Sequence, residues 1–188
     1  YLESESIITI GTFDGVHKGH ELVFEHIKNY SELLPAVITF KKSPKDVINN
    51  KNVKSIYDIK TKEGLISEFG IKKIISIDFD DSIKNLTAEK FIELLKKYLK
   101  LKLLVIGDDA TIGKDKIGKK NGLDQILKKY SCNLKSINIK KDTQRKISSS
   151  ELKTLIKLGE IEKVNRNLSK DYFIYGKIVE GKKLGREL

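Results

Sequence analysis

The chain holds one cysteine, two prolines and no long hydrophobic run in 188 residues, and each scarcity removes a class of protein. With Cys132 alone no disulfide can close within the chain, nothing points to a metal-thiolate site, and a reducing cytoplasm is the natural compartment. The longest apolar stretches, such as 103–106, are far shorter than the roughly 20 residues that span a bilayer. No signal-peptide pattern opens the chain, so neither export nor a membrane partner is expected. Few prolines, with 39% apolar and 34% charged residues, argue for a packed α/β protein over a disordered one. The chain starts at Tyr1 and its last residues run into an unfinished segment, so both ends read as cut.

Positive charge is plentiful. Lys and Arg number 37 against 26 Asp and Glu, a net charge of +11, which favours anionic partners such as nucleotides, nucleic acid or acidic membranes. The lysines are nevertheless spread along the whole chain on faces that read as solvated. Biased composition explains them without a nucleic-acid surface, and no nucleic-acid partner is expected.

Short β-branched runs at 7–11, 36–40, 73–79, 103–107 and 134–139 read as strands. Between them, 19–30, 58–69, 88–99 and 123–130 repeat apolar residues three and four apart, as helices covering a sheet do. The alternation predicts a Rossmann-like parallel sheet flanked by helices. Thr87 reads as a helix N-cap and Gly70 as a helix stop. Two more helical stretches, 148–158 and 160–168, precede an apolar segment at 172–179 that reads as a strand of something else. The domain boundary is therefore expected near Ser169, giving domains 1–169 and 170–188.

The first strand runs into Gly11-Thr12-Phe13-Asp14-Gly15-Val16-His17-Lys18-Gly19-His20, and an amphipathic helix follows. A strand-turn-helix of this kind lies at the carboxyl edge of the sheet, where α/β folds bind ligands. Gly11 and Gly15 permit a tight turn, and the exposed amides of a helix start attract phosphate. His17 and His20, three apart, share a helix face with only Gly19 between them, so both imidazoles can donate to polyphosphate oxygens. A chance surface pair, or half of a zinc site, is the bland alternative. Zinc would need further ligands, and neither Cys132 nor His26 has a natural spacing for it, so no protein-held metal is expected.

This ten-residue signature resembles that of the bacterial bifunctional riboflavin kinase/FMN adenylyltransferase family, also called FAD synthetase. His-x-Gly-His alone is common to many nucleotidylyltransferases, whereas the Phe-Asp-Gly-Val-His lead-in is much narrower. The family's other motifs follow in order. Phe40 and Pro44 match the end of its second strand, but Lys41, Lys42 and Ser43 replace Asp-Pro-His. The Gly-x-Asp-Phe-x-Phe-Gly motif corresponds to Gly107, Asp108, Asp109, Ala110, Thr111, Ile112 and Gly113, keeping the aspartate and losing both aromatics. Rings pack heterocycles well, so Ala110 and Ile112 imply weaker ligand stacking or altered loop packing, and altered packing is the expected one. Gly113, Gly118 and Lys119 fall one residue short of a Walker-type loop, and Lys120 stands where a Ser or Thr should bind magnesium, so this reads as a flexible basic loop. Ile147, Ser148, Ser149, Ser150, Glu151, Leu152 and Lys153 resemble Ile-Ser-Ser-Thr/Ser-x-Ile-Arg, with lysine in place of arginine. By themselves the serines would be an ordinary N-cap.

The resemblance implies a nucleotidylyltransferase fold followed by the truncated start of a β-barrel riboflavin kinase domain, marked by Tyr172 to Gly181 and by Leu184, Gly185 and Arg186. It implies AMP transfer from ATP to FMN, giving FAD and pyrophosphate, with Mg2+ accompanying ATP. His17 and His20 would be catalytic. Gly11, Thr12, Phe13, Asp14, Gly19, Asp109, Ser148, Ser149, Ser150 and Lys153 would bind nucleotide, and Phe40, Pro44 and Asp109 would bind flavin. Asp14 and Asp109 are the candidate metal contacts. A transferase acting on another phosphorylated acceptor and a binding protein that has lost catalysis are the rival readings.

Overall fold

The computed structural model describes residues 2–108, 110–118, 122–138 and 148–181. Their β-branched runs form β1 (Ser6–Gly11), β2 (Leu34–Phe40), β3 (Lys73–Ile77), β4 (Leu101–Gly107) and β7 (Asn133–Ile137), which build one five-stranded sheet in the order β3-β2-β1-β4-β7. Every pairing in it is parallel. Two short strands, β5 (Thr111–Ile112) and β6 (Ile117–Gly118), make a separate antiparallel hairpin.

Side-chain alternation sorts the core into two layers. Ile7, Val37, Leu103 and Val105 face one side, where α1 (Lys18–Lys28) and α3 (Ile59–Glu68) bring Val23, Phe24, Ile27, Leu65 and Ile66. Ile8, Ala36, Ile38, Leu104 and Ile106 face the other, under Phe91, Ile92 and Leu95 of α5 (Ala88–Leu99) and Leu123 and Leu127 of α6 (Leu123–Lys129). A strand covered on both faces has to be apolar throughout, which is why β1, β2 and β4 read as near-continuous Ile, Leu and Val. The chain builds outward from β1 through β2 to β3, then crosses back to β4. The carboxyl ends of β1 and β4 therefore flank the topological switch point, where α/β folds open a ligand crevice.

The helix caps follow the sequence. Thr87 accepts from the Lys90 amide at 3.2 Å, Asp58 caps α3 through Thr61, and Gly70 ends that helix region with φ +80°. Two short helices escape a periodicity reading because they are less than two turns long: α2 (Pro44–Ile48), started by Pro44, and α4 (Asp81–Lys84), capped by Asp80. The Cys132 thiol is buried in the second layer, donates to the Leu101 carbonyl, and has its pKa raised by that burial.

After β7 come α7 (Ser149–Lys157) and α8 (Ile161–Asn167), which bury Leu152, Val164 and Leu168 together. Leu168 bridges to His17 and the Ser169 amide reaches the Val16 carbonyl, so this end of the chain returns to the turn after β1. The strand expected at 172–179 does not form. A strand needs a neighbour to take its backbone hydrogen bonds, and among the described residues none pairs with this segment. Instead Tyr172 and Phe173 stack on Tyr57, while Ile174, Tyr175, Ile178 and Val179 lie exposed.

Candidate active site

The turn between β1 and α1 is strained and tightly held. Phe13, Gly15 and Val16 have φ values of 48°, 83° and 44°, and for a β-branched valine that conformation is a genuine outlier. Gly15 is required twice over, by its positive φ and because an added Cβ would come within 2.7 Å of the Ile56 side chain. Phe13 folds back over Gly11 and touches both Phe24 and the His20 ring. Such a backbone persists only where its surroundings over-determine it. Here Thr39 and Lys62 both donate to the Thr12 carbonyl, at 3.0 and 2.9 Å, and Ser149 donates to the Asp14 carbonyl at 2.8 Å.

His17 is the N-cap residue of α1. Its backbone is extended, its carbonyl accepts from the His20 and Glu21 amides, and its side chain makes no capping bond. The imidazole is thereby free to stack on His20, with ring centroids 3.6 Å apart and planes 17° from parallel. Nδ1 of each ring is buried without a hydrogen-bond partner. Buried polar atoms are ordinarily satisfied, and two orphans side by side mark a place where a ligand would complete the bonding. Burial pushes the His17 pKa down to about 4, against smaller opposing effects of its own backbone and Asp14. His20 is also held well below the usual histidine value, by burial first and then by the charges of His17 and Lys62. Both rings are therefore neutral at neutral pH, each with one N–H to donate.

The buried Asp14 carboxylate pairs with the half-buried Lys153 at 2.8 Å and also accepts from the Ile56 amide at 2.8 Å. Lys153 is thus engaged with the turn and does not stand open beside the serines. Of these, Ser148 caps α7 by accepting from Glu151, Ser149 ties α7 to Asp14, and Ser150 is exposed. Gly19 is buried in the first turn of α1. Phe40 closes β2 and packs edge-on against Phe79, and Pro44 opens α2. Ile112 is buried against α5 with Ala110 beside it, so the loop that lacks aromatics is packed as part of the core. Asp109, Lys119, Lys120, Ile147, Leu184, Gly185 and Arg186 lie outside the described residues.

Lys62 is the residue that sequence reading overlooked. It is 4% exposed, and its ammonium donates to the carbonyls of Thr12 and Phe40 at 2.9 and 2.7 Å, linking the expected nucleotide turn to the expected flavin edge. The signal was present, because Lys62 stands on the stripe of α3 that also carries Leu65, Ile66 and Phe69, a charge among core positions. The hollows lie elsewhere. One of about 220 Å³ opens between the turn and α3, walled by Val16, Tyr57, Leu65 and Phe69 with Ser169 and Lys170 at its side. It holds neither histidine, though the Ser169 hydroxyl at its side is also buried without a hydrogen-bond partner.

The described residues do not by themselves build a Mg2+ site, and Asp109, the other candidate contact, lies outside them. Among the described residues no three acidic, histidine or cysteine side chains converge, and the Asp14 carboxylate is already bonded twice.

A bifunctional riboflavin kinase/FMN adenylyltransferase of Buchnera aphidicola subsp. Schizaphis graminum is 34% identical across all of this chain and 62% of its own length. The protein of the same name from Bacillus subtilis is 31% identical over 99% of this chain and 60% of its own. The chain thus spans about three fifths of the length of these curated relatives. A Streptococcus pneumoniae crystal structure described as a macrolide-efflux protein superposes with TM-score 0.77 at 26% identity, covering 92% of this chain and 67% of that one. Among the described residues here, no helix is long and apolar enough to cross a membrane. A Plasmodium falciparum nicotinic acid mononucleotide adenylyltransferase superposes with TM-score 0.50 at 15% identity, covering 89% of this chain and 91% of that one, which bears on fold alone. The family model for FAD synthetase matches residues 2–151, taking in the histidine turn, Lys62 and the three serines in one continuous stretch, and the chain belongs to that family.

Proposed function

We propose that this chain transfers AMP from ATP to FMN, forming FAD and releasing pyrophosphate. The observation that carries the reading is the stacked His17–His20 pair, neutral and with unpartnered ring nitrogens, at the start of α1 beside the sheet's switch point. An FMN phosphate oxygen attacks the α-phosphorus of ATP in line, a new P–O bond forms, and the bond from the α-phosphorus to the β-phosphate bridging oxygen breaks. The attacking phosphate is already ionised, so no general base is needed. Catalysis is positioning plus stabilisation of charge moving onto pyrophosphate, which the two imidazole N–H groups and the amides of the α1 start supply. Gly11, Thr12, Phe13, Asp14 and Gly19 shape that cradle, Ser148 to Ser150 close it, and Lys153 joins it when its pair with Asp14 opens. Phe40 and Pro44, with Asp109, would border the flavin. Mg2+ enters bound to the triphosphate as part of the substrate, and no step depends on a protein ligand for it.

We assign residues 1–169 to this transferase and 170–188 to the start of the following domain, which in the longer relatives would phosphorylate riboflavin. ATP and FMN as substrates, together with a single buried cysteine, favour the cytoplasm as its compartment and small molecules, not nucleic acid, as its partners. The test is direct: the chain incubated with ATP, Mg2+ and FMN should yield FAD on chromatography with equimolar pyrophosphate. A panel of other phosphorylated acceptors releasing pyrophosphate faster than FMN does would reassign the substrate, and saturable binding without FAD would mark a binding protein.

A further inference from the structure

A lysine on the core-facing stripe of a helix is costly, because burial penalises its charge and two carbonyls only partly replace water. Among the described residues Lys62 has no carboxylate at ion-pair distance. Burial lowers its pKa, with Asp14 and Glu63 near enough to oppose that. An apolar side chain would fill the stripe between Leu65 and the sheet more cheaply. What Lys62 does that leucine cannot is bond two separate strand ends at once, at 2.9 and 2.7 Å.

We propose that Lys62 is a positioning residue for the transfer: one buried ammonium ties the turn that grips the triphosphate to the end of β2 that borders the acceptor. In-line displacement depends on the distance and angle between the two reacting phosphates, and those phosphates are carried by different strands. Parallel β1 and β2 fix Gly11 opposite Thr39, where their pairing ends, and the Thr12 and Phe40 carbonyls just beyond both accept from Lys62. Lys62 continues the connection where backbone pairing stops. It has a second effect through charge. From α3 it faces His20, which His17 and the Phe13 ring cover from the turn; Asp14 acts on His17 and Lys62, and Glu63, bonded by Ser76, acts on Lys62. Among the described residues the charge effects of His17 and Lys62 add to burial in opposing protonation of His20, so Lys62 helps to hold that ring in its neutral form.

The inference rests on the transfer reading, and three variants of the whole chain test it. Lys62→Met removes both bonds and the charge, Lys62→Gln keeps amide donors without charge, and Lys62→Arg keeps charge in a different shape. Expected for Lys62→Met is a fall in kcat of about tenfold to a hundredfold with KM for ATP and for FMN within about threefold, the mark of lost alignment and not of a lost contact. Lys62→Arg should recover part of kcat. In Lys62→Gln the His20 ring, followed by NMR from about pH 8 down to the acid edge of the folded state, should titrate at a higher pH than in the wild type. Should Lys62→Met misfold, Lys62→Gln and Lys62→Arg carry the test. Unchanged kcat in the neutral variants, with His20 titrating as before, overturns the proposal. A wild-type chain that forms no FAD overturns the transfer reading instead, and the His20 titration in Lys62→Gln then decides alone whether Lys62 governs the site.

Discussion

The connections that leave β1 and β4 emerge side by side at the carboxyl edge of the sheet, and they differ in backbone strain and in what holds them. The first, residues 11–17, is polar and strained: positive φ at Phe13, Gly15 and Val16, a carbonyl bonded by Thr39 and Lys62, and an aspartate buried against Lys153. The second, over residues 110–118, folds into the β5–β6 hairpin and is fixed by apolar and polar contacts together, with Ile112 sunk against α5, the Asp115 carboxylate accepting from the Ala88 amide at 2.9 Å, the Lys114 amide donating to the Leu86 carbonyl at 2.8 Å, and Gly113 turning at φ +75° where a Cβ would strike the Ala88 backbone. A strained turn stapled by polar groups is what a site of charge transfer needs, since its dipoles are set before the ligand arrives. A hairpin anchored on α5 through Ile112 and Asp115 shapes a wall. On the proposed reading the described residues of this edge therefore divide into a chemical half and a structural half.

Breaking the staple should have the largest consequence. Lys153→Met leaves Asp14 buried with one backbone donor and Lys62 as the nearby cation, and is expected to lower stability by about 3 kcal/mol, read from chemical denaturation. Lys153→Arg should lose much less, because charge is retained.

The histidines add an acid sensitivity confined to the first half. The unfolded chain protonates His17 near 6.5 and the folded chain near 4, so the stability resting on the neutral ring is intact above 6.5 and drains as pH falls toward 4. Over that window His17 accounts for about 3 kcal/mol, to within a kcal/mol or so. Denaturation curves of wild type and His17→Ala should converge as the medium is acidified; parallel curves would place His17 outside this effect.

Turnover should separate the halves next. His17→Ala and His20→Ala are each expected to lower FAD formation on the order of a hundredfold, about 2.7 kcal/mol in the barrier, with the fold retained by circular dichroism. Ile112→Val in the structural half should cost only about 1 kcal/mol of stability and leave turnover within about twofold. A large catalytic loss in Ile112→Val would merge the two halves.

Much of this architecture is legible in the residues. The parallel sheet follows from β-branched runs separated by amphipathic stretches, and strand starts and ends fell within a few residues because Thr87, Asp58 and Gly70 punctuate the helices with familiar chemistry. The histidine pair was visible because three-residue spacing at a helix start fixes a shared face. What the sequence hides depends on three-dimensional partners. Nothing local says that Lys153 reaches back 139 positions to Asp14, or that Lys62 crosses two strand ends. The expected strand at 172–179 fails for the same reason, since apolar alternation describes a strand's side chains but cannot supply the neighbour that bonds its backbone.

The central claim is that His17 and His20 meet the phosphates of ATP, and a structure of the chain with a non-hydrolysable ATP analogue tests it most directly. The account predicts an imidazole nitrogen of each ring within about 3 Å of a phosphate oxygen, with the rings still stacked. Phosphates bound elsewhere, with both rings turned away from them, would contradict it.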